Sequence, residues 1–149
     1  MIRAAIVGLG WWGKTLVEGA AASGSVAVVA GVTRRRELAE GFAQEQGFAL
    51  EGSFEALLAR PDLDAVILAT PHLDHEAQVI AAAQAGKHVF CEKPLTLSRA
   101  SAERMVAAAH EASVILGLGH NRRFHPHMAE LGRRTQDGRL GAILHAEGT

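Results

Sequence analysis

Ala4-Ala5-Ile6-Val7-Gly8-Leu9-Gly10-Trp11-Trp12-Gly13 decides how the rest of the chain is read. A short apolar run, of the kind buried on both faces of a sheet, leads directly into G-x-G-x-x-G, and helical composition follows over about 12–22. In that setting each glycine has its own task. Gly8 permits a tight turn, Gly10 lets a ligand approach the backbone, and Gly13 allows the helix to pack closely on the strand. The helix start offers unpaired N–H groups and the positive end of its dipole, so phosphate oxygens can be held there without a charged side chain. Three glycines can also serve only as a tight strand-to-helix connection; the pattern downstream favours the dinucleotide reading. Trp11 and Trp12 either line the cleft beside the turn or pack against the domain, and the residues alone do not separate the two.

Outward from this turn, short apolar runs alternate with helical stretches. Val26-Ala27-Val28-Val29-Ala30, Ala65-Val66-Ile67-Leu68-Ala69, His88-Val89-Phe90 and Val114-Ile115-Leu116 read as strands, and Phe48-Ala49-Leu50 as a brief further one. Helices are expected at about 35–46, 53–60, 74–85 and 98–112. Ser53 and Ser98 suit N-caps, and Gly86 falls where a left-handed C-cap is wanted. Repeated β-α units imply an α/β fold with a doubly wound parallel sheet, a Rossmann fold.

The 149 residues suffice for one domain with a substantial core and fall short of a usual two-domain dehydrogenase. The formal charge of −1 gives no field that would draw the chain to nucleic acid or an anionic membrane. No apolar stretch nears the roughly 20 residues of a membrane span. Cys91 is the sole cysteine, so no intrachain disulfide can form and a cytoplasmic setting is expected.

Two further regions bear on the ligand. An NAD-binding fold usually has an acid at the end of the second strand for the ribose 2′-hydroxyl, but here the chain reads Gly31-Val32-Thr33-Arg34-Arg35-Arg36, with no carboxylate before Glu37. Thr33 can hydrogen-bond a 2′-phosphate and Arg34 can pair with one through its guanidinium fork, so NADP is favoured over NAD, which stays open. The fourth and fifth strands end in Thr70-Pro71-His72-Leu73-Asp74-His75 and Cys91-Glu92-Lys93-Pro94. Loops at these strand ends face the ligand crevice. A lysine there can donate a proton to a substrate hydroxyl or hydrogen-bond it, although such a lysine taken alone is more often an ordinary surface residue.

Together these features resemble the Gfo/Idh/MocA oxidoreductase family. The matching stretches are the glycine turn, Thr70-Pro71 with His75, Ala85-Gly86-Lys87-His88-Val89, Glu92-Lys93-Pro94 and Arg123-Phe124-His125-Pro126, whose order spans nearly the whole chain. The resemblance implies hydride transfer between a nicotinamide and a hydroxyl-bearing carbon of a sugar, cyclitol or related small molecule. It implies that Lys93 is the catalytic-site lysine and that Glu92 contacts the cofactor. It places Thr70, Pro71 and His75 along the cofactor, and Asn121 and Arg123 towards the nicotinamide end. The Lys93–Pro94 peptide is often cis in this family.

Residues 1–120 are therefore expected to form the dinucleotide-binding domain. Residues 121–149 would supply a crossover helix and the first strand, Gly141–Thr149, of a substrate and oligomerisation domain whose remainder lies beyond this chain. By itself the chain is expected to bind dinucleotide weakly and to turn over no substrate. Its last strand could pair with another copy, which leaves a homo-oligomer open. The alternative is a non-catalytic NAD(P)-binding sensor or scaffold, for which Lys93 would be idle. No metal is expected, because His72, His75, His120, His125 and His127 fit no compact zinc spacing. Cys91 ends an apolar strand without an evident base, which argues against a nucleophile.

Overall fold

The computed structural model describes residues 1–145 and Glu147. It divides into two compact units, Met1–Gly119 and His120–Thr149. The first unit alternates strands and helices in the order β1 (Ile2–Val7), α1 (Trp11–Ser23), β2 (Val26–Val32), α2 (Glu40–Glu45), β3 (Ala49–Leu50), α3 (Phe54–Leu58), β4 (Ala65–Leu68), α4 (His72–Gln84), β5 (His88–Glu92), α5 (Arg99–Glu111) and β6 (Leu116–Gly119). All strand pairs are parallel and the order across the sheet is β3-β2-β1-β4-β5-β6. The expected doubly wound sheet is present.

Alternation along each strand divides the interior into two cores. Ala5, Val7, Val66, Leu68, Val89 and Cys91 face one side, where Leu57, Val79, Ala82 and Met105 from α3, α4 and α5 cover them. Ala4, Ile6 and Ile67 face the other side against Val17 of α1 and Ala43 of α2. Burial on both faces explains why β1 and β4 read as unbroken apolar runs, whereas β5 buries one face and leaves Phe90 37% exposed on the other.

Local chemistry sets the ends. Ser53 Oγ accepts the Ala56 N–H at 3.1 Å and Ser98 Oγ accepts the Ser101 N–H at 3.1 Å, so both expected N-caps form. Gly86 takes φ +71 just past α4. Two element boundaries in this unit differ from the expectation. The stretch expected as one helix over 35–46 is a 3-10 turn, Arg36–Leu38, followed by the short α2, with no side-chain cap at Arg35. The last strand lies further along than Val114–Leu116. Ser113 adopts φ 57 and the Val114 N–H returns to the Ala109 carbonyl at 2.9 Å, closing α5. The Ile115 N–H is then taken by His88 Nδ1 at 3.1 Å, so β6 begins at Leu116.

The second unit holds a 3-10 turn, Asn121–Phe124, and α6 (Pro126–Gln136), with Pro126 in its first turn. Residues 141–145 and Glu147 of the expected terminal strand carry no regular element, and Ala146, Gly148 and Thr149 lie outside the described residues. Among the described residues no helix is long and apolar enough to cross a membrane.

Candidate cofactor site

The sheet reverses its winding between β1 and β4, which pair from Ala4 with Ala65 to Val7 with Leu68. A crevice opens there, beyond the carboxyl ends of the strands, as the topology requires. It measures about 540 Å³ and is walled on one side by Gly8, Gly10, Thr33 and Arg34 and on the other by Thr70, Pro71 and Asp74.

The glycine turn is built to three different tolerances. Gly8 has φ +92, and a Cβ there would stand 2.6 Å from the Ala69 carbonyl oxygen. Its N–H donates to the Val32 carbonyl at 2.9 Å, fastening the turn to β2. Gly13 is buried, and a Cβ there would stand 2.0 Å from the Gly8 carbonyl oxygen. At Gly10 an added Cβ would meet nothing within 4 Å, and the residue lines the cleft. Gly10 is also the N-cap of α1 and supplies no side-chain bond to it. The first bond of the helix runs from the Lys14 N–H to the Gly10 carbonyl at 3.1 Å, so the amides ahead of Lys14 project forward from the helix. Free amides, a helix dipole and space kept clear at Gly10 fit the pyrophosphate of a dinucleotide.

The two indoles, left undecided by the sequence, contribute no wall to this cleft. Trp11 is 79% exposed, and its ring sits 5.3 Å from that of the half-buried Trp12. Trp12 Nε1 is buried without a hydrogen-bond partner among the described residues.

Thr33 and Arg34 line the opposite end of the cleft. The Arg34 guanidinium pairs with the Asp74 carboxylate at 3.2 Å, across the crevice mouth. Asp74 and Gln78 are wall residues that the motif reading of the cofactor site omits. Gln78 Oε1 accepts the Thr70 hydroxyl at 2.6 Å and so orients the threonine.

His75, expected along the cofactor, lies beneath the loops that follow β4 and β5. It is 1% exposed and is not part of the cleft wall. Its Nδ1 lies 3.1 Å from the Pro94 carbonyl oxygen and 3.2 Å from that of Leu95, while Nε2 lies 3.0 Å from the Thr70 carbonyl oxygen. The ring therefore ties the loop after β4 to the loop after β5. Neutral imidazole donates at one nitrogen only, so the tautomer decides which loop's carbonyl it serves. His75→Leu should remove the tie and cost about 2–4 kcal/mol of stability, seen as a lower urea midpoint. Weaker dinucleotide binding at unchanged stability would instead return His75 to a cofactor contact.

Beyond β5, Glu92 is 6% exposed, and its Oε2 accepts the Lys93 N–H at 3.1 Å. Its other oxygen fills the space beside Gly119, where a Cβ would stand 2.6 Å from it. Glu92 is thus a buried support for Lys93 and lies outside the cleft wall. Lys93 is exposed, its ammonium has no partner among the described residues, and the Lys93–Pro94 peptide is cis. Burial, with the Glu92 charge adding to it, pushes the Cys91 thiol up to about 12, which leaves no thiolate for chemistry. Asn121 and Arg123 fall in the second unit, in its 3-10 turn, where the Arg123 N–H bonds the His120 carbonyl at 3.1 Å. Among the described residues no three metal-ligating side chains gather closely enough to hold an ion.

Comparison with known proteins agrees with this geometry. Residues 2–120 match the profile of a family described as an oxidoreductase family with an NAD-binding Rossmann fold. The chain is 35% identical over 147 residues to 1,5-anhydro-D-fructose reductase of Ensifer adhaerens, an alignment covering 98% of this chain and 44% of that protein. Among solved structures it is similar to scyllo-inositol dehydrogenase from Lactobacillus casei with bound NAD(H) and scyllo-inositol. The TM-score is 0.89 at 27% identity, over 96% of this chain and 43% of that one. A 3-ketoreductase from Actinomadura kijaniata, in complex with TDP-benzene and NADP, gives a TM-score of 0.86 at 33% identity, over 95% of this chain and 44% of that one. The chain spans less than half the length of each of these relatives.

Proposed function

From the premise that the chain belongs to the Gfo/Idh/MocA oxidoreductase family, we propose that it is the cofactor-binding part of an NAD(P)-dependent dehydrogenase or reductase acting on a sugar, cyclitol or related small molecule. The observation that carries this reading is the turn at the sheet's switch point, with Gly10 open to the cleft and Gly8 and Gly13 closed against neighbours. When bound, the dinucleotide supplies the nicotinamide carbon that accepts or gives a hydride.

The chain's own residues bind, orient and manage the proton. The amides from Gly10 to Gly13 hold the pyrophosphate, and Thr70 and Pro71 flank the cofactor on the β4 side. Thr33 and Arg34 receive the adenosine ribose, with NADP preferred because Arg34 can pair with a 2′-phosphate. Lys93 is the catalytic residue: its ammonium gives a proton to the substrate oxygen as the carbonyl carbon accepts the hydride, and the resulting amine takes that proton back in the reverse direction. Glu92 holds the Lys93 amide and His75 the Pro94 carbonyl, so both act as positioning residues for the lysine. Residues 121–149 begin the substrate domain, from which Asn121 and Arg123 serve the nicotinamide end.

Titration of this chain with NADPH and NADH tests the reading. Trp11 and Trp12 are the only tryptophans, and both sit on the phosphate turn. Indole excitation should give saturable sensitised emission from either nucleotide, with NADPH binding roughly tenfold tighter through a charged hydrogen bond. Tighter binding of NADH would overturn the roles of Thr33 and Arg34, and binding of neither would overturn the dinucleotide site.

A further inference from the structure

We propose that Asp74 is a specificity-determining residue of the dinucleotide site and narrows its preference for a 2′-phosphate over a free 2′-hydroxyl. The proposal rests on the cofactor reading above. The end of β2 lacks the acid that would discriminate against a phosphate, but the fold brings one from α4, forty residues away in sequence. Asp74 and Arg34 stand on opposite walls of one cleft, 3.2 Å apart. The guanidinium that would receive the phosphate is therefore already engaged by a carboxylate.

Three properties make that carboxylate a competitor rather than a passive neighbour. Asp74 lies in the first turn of α4, where the helix dipole favours its negative charge. Its backbone is fixed, since its N–H donates to the Pro71 carbonyl at 2.9 Å. The pair itself is open to water, with side chains 80% and 44% exposed, so it is weak enough for a phosphate to displace. Once displaced, Asp74 remains beside a group of like charge. A ribose bearing only a hydroxyl meets no such repulsion and can donate a hydrogen bond to the carboxylate. The site thus carries one residue for each cofactor: Arg34 rewards the phosphate, and Asp74 penalises it.

Asp74→Asn keeps the shape and removes the charge. In fluorescence titrations of this chain, D74N should raise the ratio of the NADH to the NADPH dissociation constant by about fivefold, through tighter NADPH binding. The gain should shrink as salt rises from roughly 50 to 500 mM, because exposed charges are screened. Asp74→Glu, which keeps the charge, should stay near the wild-type ratio. A ratio changed by less than twofold in D74N, or equal tightening of both nucleotides, overturns the proposal while the cofactor reading stands. Wild-type binding of neither nucleotide overturns both. Wild-type preference for NADH overturns the role given to Arg34, and the D74N ratio still decides the role of Asp74.

Discussion

Gly10→Ala is expected to weaken dinucleotide binding by roughly tenfold to a hundredfold without changing the stability of the chain. Gly13→Ala is expected to lose both. The pair is informative because the two positions differ in what a methyl group would meet. At Gly10 the backbone lies at φ −71 and ψ −175, which alanine adopts freely, and the added carbon enters empty space. That space is the approach path to the amides of α1, so the cost falls on the ligand alone. At Gly13 the carbon would stand 2.0 Å from the Gly8 carbonyl oxygen, and backbone on both sides must move. Overpacking against an unyielding neighbour costs about 1–3 kcal/mol or more, and here the movement also spoils the turn. Calorimetric binding and urea unfolding on both variants check this. Unchanged affinity in a folded Gly10→Ala protein would show that phosphate does not lie over the turn.

Lys93→Ala, made in the full-length protein, should lower turnover by about 10²–10⁴-fold, the usual worth of a positioned proton-transfer group. Dinucleotide affinity should move by less than about threefold, because Lys93 forms no part of the adenosine and phosphate cleft. The lysine amide is held by Glu92 and the next carbonyl by His75, yet the ammonium itself has no partner among the described residues. Steady-state rates and a separate binding titration distinguish the outcomes. Unimpaired turnover would remove Lys93 from the chemistry and revive a purely binding role for the domain.

The architecture was legible because its signals repeat. Apolar runs marked the buried strands, Ser53 and Ser98 marked helix starts, and G-x-G-x-x-G marked the turn through backbone requirements that only glycine meets. What was not legible depends on direction and on proximity between distant segments. His75 stands in a recognisable motif, but only the folded loops show its ring aimed at the carbonyls of Thr70 and Pro94 rather than into the cleft. Asp74 is remote from Arg34 in sequence and reaches it because β4 lies beside β1. The start of β6 escaped the pattern because Ser113 takes a left-handed conformation that no residue type there announces. Trp11 and Trp12 could not be assigned, since an exposed indole and a half-buried one look alike as letters.

The switch point also has a kinetic side. The two walls of the cleft belong to stretches that meet only when Ala4 pairs with Ala65, closing a loop of about sixty residues. Such non-local pairing is slow relative to the helices and the shorter β1–α1–β2 crossover that precede it. A nascent chain carrying only β1, α1 and β2 would have the phosphate turn without its opposite wall. Nucleotide capture is therefore a late event in folding, and saturating nucleotide should slow unfolding by bracing a joint between the two halves of the sheet.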